Sequence, residues 1–253
     1  MTDKYAVIGN PIAHSKSPQI HKMFAEQFKG KPAGDISYEK IEAPLDGFAA
    51  TIEQLRKAGY KGCNVTVPFK FEAFQLATNR SKGAEAAEAV NTLQFNGDHI
   101  FGDNTDGVGL VSDIQVNLEI PLKNRRVLLM GAGGAAYGVA FPLVDIVGSD
   151  LTVVNRNIEN AAKMIRAFKT RGTMVSLYRY EEESFIAREF DVVINATSTG
   201  LSDEMPPLPS GIFAPGALAY EMMYGRETPF MKFARAHGAA IVTDGLGMLV
   251  EQA

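Results

Sequence analysis

NVTVPFK, residues 64–70, sets Asn64, Thr66 and Lys70 at the exit of a strand, and DNTDG, residues 103–107, sets Asp106 just past a hairpin. An amine and a carboxylate are groups that give and take protons at a reacting centre. Spacing alone leaves two readings of each open: Lys70 as a catalytic cation or a solvated helix lysine, Asp106 as its partner or a turn-forming aspartate. HSKSPQIH, residues 14–21, offers a further cluster. Ser17 before Pro18 reads as a helix cap, because a serine oxygen accepts from a free backbone N–H and proline has none to leave unsatisfied. Ser15 lies outside that helix; with Lys16 it adds a hydroxyl and a charge beside a partly positive helix end, which suits a small anion such as a carboxylate. The four histidines, at 14, 21, 99 and 237, show no ligand spacing, so metal catalysis is not expected.

A second kind of chemistry is suggested by GAGGAAYG, residues 131–138, where Gly131, Gly133 and Ala136 satisfy the G-x-G-x-x-A dinucleotide fingerprint. VLLM precedes it as a strand, a helix-compatible segment follows, and LTVVN arrives as a second strand at the interval expected of a βαβ unit. The bland alternative is a tight turn packed for helix–sheet contact. The second strand ends in Asn155, Arg156, Asn157, with no acid to accept from a free ribose hydroxyl; Asp150 precedes the strand and lies at its wrong end. Arg156 suits a 2′-phosphate, favouring NADP over NAD, although a solvated surface arginine is its plainer reading. DVVINATSTG, residues 191–200, and AIVTDGLGM, residues 240–248, read as further strands running into polar loops.

The elements that must carry these groups alternate. YAVIG is a strand; Ile20, Met23, Phe24 and Phe28 recur at helical spacing and predict one buried face; ISYEKIE alternates as a strand; Leu45, Phe48, Ile52 and Leu55 mark a helix; GCNVTV is a third strand. NTLQF, Asn96-Gly97 and DHIFG read as a hairpin, since Asn-Gly takes the positive φ of a tight turn. Val108, Val111, Ile114 and Leu118 then suggest a helix ending at Pro121, and a domain boundary falls near residues 107–121. The pattern implies α/β layers with parallel strands and crossover helices.

A chain of 253 residues has room for two modest cores, and its net charge of −4 argues against broad nucleic-acid or anionic-membrane surfaces and for a small-molecule partner. One cysteine, Cys63, precludes an internal disulfide, and the opening MTDKYAVIGN lacks the plan of a secretory signal, so a reducing cytoplasm is expected. The uncharged run from Val127 to Val144 is long, but Gly131, Gly133, Gly134, Gly138 and Pro142 inside it speak against a membrane span.

YAVIGNPIAHSKSPQIH, NVTVPFK, AVNTL, GDNTDGVG, GAGGAA, NR, INATS, MMYGRETPF and DGLGMLVEQA occur together and in this order. The set resembles the shikimate dehydrogenase family over nearly the whole chain, from Tyr5 to Ala253. The resemblance implies two α/β domains with a cleft between them: a substrate-binding and catalytic domain at 1–107, rejoined by the C-terminal helix 241–253, and a Rossmann-type doubly wound NADP-binding domain at 108–240. It implies reversible, NADPH-dependent reduction of 3-dehydroshikimate to shikimate, by a monomer or homodimer. Carried over by motif, Ser15 and Ser17 hold the substrate carboxylate, and Asn64, Thr66, Asn91, Asp106, Tyr224 and Gln252 the ring hydroxyls, with Lys70 and Asp106 as the catalytic pair. Gly131, Ala132, Gly133, Gly134, Ala135, Asn155 and Arg156 face the cofactor, with Met222 and Gly245 near its nicotinamide end. Glu221 departs from the aspartate usual there, Tyr137 from arginine or serine, and Asn157 from threonine; members usually continue beyond the position of Ala253, so a short closing helix is expected. The alternatives are a quinate/shikimate enzyme with broader substrate and NAD use, and a non-catalytic NADP-binding sensor.

Overall fold

The computed structural model of the chain describes residues 2–30, 35–169, 174–199 and 204–253. It divides into two compact units, one running to Thr105 with Ala253 added, the other from Asp106 to Gln252.

The first unit runs β1 (Asp3–Gly9), α1 (Ser17–Gln27), β2 (Ile36–Glu42), α2 (Phe48–Lys57), β3 (Tyr60–Val65), α3 (Lys70–Leu76), β4 (Asn79–Arg80), α4 (Lys82–Ala87), β5 (Thr92–Asn96) and β6 (His99–Asp103). Among the described residues six strands form one sheet in the order β2-β1-β3-β5-β6-β4. The β1, β2 and β3 pairings are parallel, as crossover helices require, while β3–β5 and β5–β6 are antiparallel. The hairpin forms as its turn residues direct: Asn96 pairs with His99 and Gly97 takes φ +58°. Phe48 stacks on Phe69 at 4.9 Å, and both are fully buried with Ile8, Ile52 and Leu93. Burying each such side chain contributes about 1.5–3 kcal/mol.

Two sequence expectations fail here. Of the predicted buried face of α1 only Ile20 is buried, while Met23 is 65% and Phe28 45% exposed. The helix lies against the edge strand β2, so little sheet covers it beyond its first turn, and Phe28 is already its C-cap. Leu45 precedes α2, whose cap is Gly47, and is exposed.

The second unit runs α5 (Asp106–Ser112), β7 (Val127–Met130), α6 (Gly134–Val147), β8 (Leu151–Val154), α7 (Ile158–Lys169), β9 (Ser176–Tyr178), α8 (Glu183–Ile186), β10 (Phe190–Asn195), β11 (Phe213–Glu221), α9 (Pro229–Ala236), β12 (Ile241–Thr243) and α10 (Leu246–Glu251). Its six described strands are all parallel, in the order β12-β11-β10-β7-β8-β9. Counted within the unit this is 3-2-1-4-5-6 read from the β9 side, the doubly wound order, with its switch point between β7 and β10. The predicted helix through Leu118 is α5 continued by a wider π-type turn, Asp113–Asn117. No described helix is long and apolar enough to cross a membrane; the Val127–Val144 run is divided between β7 and α6.

Segment 241–253, read from the sequence as rejoining the first lobe, groups with the second unit up to Gln252. The cause is local: α10 lies on α5, and Gly109 of α5 approaches so closely that an added Cβ would stand 2.8 Å from Gln252 Cβ and 2.9 Å from the Met248 carbonyl.

Candidate active site

In the first unit Ser15 and Ser17 come together and are buried, at 6% and 7% exposure. The cap of α1, however, is Lys16, whose carbonyl accepts from the N–H groups of Gln19 and Ile20. Ser17 is the first helical residue, and its hydroxyl does not cap; it accepts from the Ser15 hydroxyl at 3.2 Å, and the Ser17 N–H donates to Ser15 Oγ at 3.3 Å. Two buried hydroxyls at a helix start are therefore arranged around each other.

Asn64 and Asn91 are joined through Thr92. Asn64 Nδ2 donates to Thr92 Oγ1 at 3.1 Å, and that hydroxyl donates to Asn91 Oδ1 at 3.0 Å. Asn91 Nδ2 donates to Thr105 Oγ1 at 3.0 Å, and its Oδ1 accepts from the Thr105 N–H at 3.1 Å. At the other end the Tyr38 hydroxyl donates to Asn64 Oδ1. His21 stacks on Tyr38 at 4.2 Å, and burial pulls its pKa down, partly offset by a hydrogen bond with Asn64. Tyr38, Thr92, Thr105 and His21 were not among the expected site residues; the Asn64–Thr92 register pair of β3 and β5 is the non-local fact that assembles them.

Thr66 precedes the turn into α3; its carbonyl accepts from Phe69 N–H at 3.0 Å. Lys70 opens α3 and is 9% exposed, with its backbone carbonyl accepting from Val90 N–H at 2.9 Å, beside Asn91.

In the second unit Gly131 takes φ +107°, its N–H donates to the Val154 carbonyl at 2.9 Å, and a Cβ there would stand 3.1 Å from the Ala196 carbonyl oxygen. Any side chain would be strained at that φ. Gly133 caps the fourteen-residue helix α6 without a side-chain bond, and space above it is open. Ala132, Gly134 and Ala135 are half-buried around this turn, Gly133 is exposed, and Ala136 is fully buried. Asn155 donates from Nδ2 to the Asn157 carbonyl at 2.7 Å, and the Asn157 side chain accepts from Asn160 N–H at 3.0 Å at the start of α7. Arg156 is exposed at the end of β8, close enough to Tyr180 to offset part of the rise that burial imposes on that hydroxyl. An anion-compatible helix start, a glycine turn at the switch point and an arginine flanked in sequence by asparagines fit a dinucleotide bearing a 2′-phosphate.

Asp106 opens α5 and is 1% exposed, one turn before Gly109, where α10 and Gln252 approach. Met222 and Gly245 are also brought together: a Cβ on Gly245 would stand 2.7 Å from the Met222 carbonyl carbon. Tyr224 is half-buried in the loop after β11. Of the DVVINATSTG motif, Gly200 lies outside the described residues. Among the described residues no group of three or more His, Cys, Asp or Glu is placed to hold a metal.

Residues 7–93 match the model of the shikimate dehydrogenase substrate binding domain, and residues 114–202 that of shikimate / quinate 5-dehydrogenase. A relative from Methylobacillus flagellatus, named shikimate dehydrogenase (NADP(+)), is 55% identical over 99% of this chain and 91% of its own length. Another of the same name, from Nitrosospira multiformis, is 54% identical over 100% of this chain and 90% of its own. Among solved structures, shikimate 5-dehydrogenase from Thermus thermophilus in complex with NADP(H) and shikimate is similar at a TM-score of 0.83 and 32% identity, over 99% of this chain and 90% of that one. With likeness of this extent along both units, the chain belongs to the shikimate dehydrogenase family.

Proposed function

We propose a division of labour among these residues for the family's reaction, the NADP-dependent interconversion of 3-dehydroshikimate and shikimate, which this chain carries out as an oxidoreductase. NADPH, when bound, supplies the hydride that reduces the ketone. The Lys70 ammonium hydrogen-bonds the oxygen on which negative charge develops and gives it a proton, worth roughly 10² to 10⁴ in rate. Asp106 accepts from a ring hydroxyl and completes the proton-handling pair. Ser15 and Ser17 donate to the substrate carboxylate; Asn64, Thr66, Asn91, Tyr224 and Gln252 bind the ring hydroxyls. Gly131 to Ala135, Asn155 and Arg156 hold the cofactor, with Met222 and Gly245 at its nicotinamide end.

The observation that supports this division is burial. Lys70 at 9% and Asp106 at 1% exposure each open a helix from inside the protein, where a solvated helix lysine and a turn aspartate would lie open to water. Shikimate-dependent reduction of NADP, with quinate and NAD as paired controls, tests the reading. Activity confined to shikimate and NADP supports it, turnover of quinate with NAD favours the broader enzyme, and cofactor binding without turnover favours a sensor. Arg156, flanked by Asn155 and Asn157, favours the strict NADP form. A cytoplasmic site of action is proposed on the single, buried Cys63 and the biosynthetic role of the family.

A further inference from the structure

Glu221, the last residue of β11, is completely buried, and its carboxylate accepts three hydrogen bonds. Asn195 Nδ2 and Thr228 Oγ1 each donate to Oε2 at 2.8 Å, and the Met223 N–H donates to Oε1 at 3.0 Å. Asn195 is the register partner of Glu221 on β10 and passes the constraint onward. Its Oδ1 accepts from the Thr197 N–H at 3.1 Å and the Thr197 hydroxyl at 2.7 Å, and that hydroxyl lies 2.7 Å from Thr199 Oγ1. The loop so held borders the glycine turn, with the Ala196 carbonyl and Thr197 Cγ2 within 3.3 Å of where a Cβ on Gly131 would stand. On the other side, Met223 and Met222 form the loop that Gly245 packs against, and the Gly245 N–H donates to the Met223 carbonyl at 2.9 Å.

We infer that Glu221 is a positioning residue for the cofactor, an inference that rests on the cofactor assignments above: one buried carboxylate sets the loop at 196–199 and the loop at 222–225 together, without contacting the ligand. The donor count explains why an acid is needed. All three partners present N–H or O–H, and the Asn195 amide is committed, because turning it would point its NH₂ at the Thr197 N–H. Only an acceptor-only side chain satisfies the set. In either orientation a glutamine at 221 opposes its own NH₂ to a buried donor, the Asn195 NH₂ in one and the Met223 N–H in the other.

The test is a reciprocal exchange. Glu221→Gln should raise the NADP KM about tenfold and the shikimate KM by no more than about threefold, because both loops it sets border the cofactor whereas only Tyr224 among the proposed substrate-binding residues lies on them, and small displacements of positioning groups are costly in rate and binding. Glu221→Gln combined with Asn195→Asp restores the link between the two strands: the Gln NH₂ donates to the new carboxylate, which accepts from Thr197, and the cost that remains is the Thr228 hydroxyl, which keeps its Met231 N–H and loses its acceptor. The double variant should return the NADP KM to within about threefold of wild type. An unchanged NADP KM in Glu221→Gln, an equal rise for both ligands, or no recovery in the double variant overturns the inference. Should Glu221→Gln not fold, Glu221→Asp keeps the acceptor-only charge on a shorter arm and should raise the NADP KM about threefold, with the shikimate KM again rising less; equal changes overturn it. Wild-type NADPH binding, measured alongside by the fluorescence of its reduced nicotinamide, reports separately on the cofactor assignment itself.

Discussion

Gly245 faces the Met222 carbonyl across a gap that no side chain fits: a Cβ there would meet the carbonyl carbon at 2.7 Å, and both atoms of the contact belong to or hang directly from backbone. Gly245→Ala must therefore displace the loop after β11 or the start of α10. Overpacking of this kind costs about 1–3 kcal/mol, so thermal denaturation should show Tm lowered by about 2–10 °C. Steady-state assays should show a raised NADP KM and, because Tyr224 sits in the same loop, a smaller rise in the shikimate KM.

Lys70→Ala should lose roughly 10² to 10⁴ in kcat, with KM for shikimate changed by no more than about threefold, because the ammonium acts on charge that exists only as the ketone is reduced. Initial-rate kinetics in both directions decide it. A near-normal kcat would assign the proton to another group.

For Ser15→Ala and Ser17→Ala the opposite split is expected. In the role proposed for them each variant removes one hydrogen bond to a charged ligand, so the shikimate KM should rise roughly ten- to a hundredfold with kcat little changed. Since the Ser17 hydroxyl does not cap α1, Ser17→Ala should move Tm by less than about 2 °C, whereas Ser15→Ala also removes the acceptor of the Ser17 N–H. A marked loss of stability in Ser17→Ala would reinstate the capping role.

Arg156→Gln should erase most of the discrimination between cofactors. The KM for NADP should rise about ten- to a hundredfold and that for NAD by no more than about twofold, and added salt should narrow the wild-type preference. Comparing both cofactors at two ionic strengths reads this directly.

Acid sensitivity has an identifiable contributor in Asp191, whose carboxylate is gripped by Arg126 through Nη2 at 2.9 Å and by the Arg126 N–H at 2.8 Å. The hydrogen bonds from Arg126 hold its pKa below the usual carboxylate value. The folded pKa is depressed, so the stabilisation is present above the unfolded value of about 3.9 and is lost as pH falls through the folded one. Asp191→Asn should thus lower Tm by about 1–3 °C at pH 6, and the gap should narrow as pH falls below the unfolded value. Melting curves across that range check the sign; a gap that widens in acid contradicts it.

Much of the fold could be read from local chemistry. Asn96-Gly97 announced its hairpin because positive φ is a property of the residues themselves, and Gly131 announced the glycine turn for the same reason. What escaped depends on contacts distant in the chain. The apolar spacing of α1 is real, yet Met23 and Phe28 have too little sheet to cover them at the β2 edge. Strand β11 shows no alternation because its last five residues are buried on both faces, and Pro215 and Gly216 interrupt it. Ser17 looked like a cap because Ser-Pro often is one; the hydroxyl of Ser15 competes for it. Tyr38 and Thr92 carried no signal, since their place beside Asn64 follows from strand register and ring stacking.

The hydroxyl of Thr92, receiving from one asparagine and giving to the next, has a consequence for how tightly a small polyol can be gripped. Asn64 and Asn91 surrender their rotational freedom when the polypeptide folds, not when a guest arrives. In the substrate-binding role proposed for them, a sugar-like ring would give up only its own mobility, and even a compact, strongly hydrated molecule would be captured with little entropic loss on the protein's side.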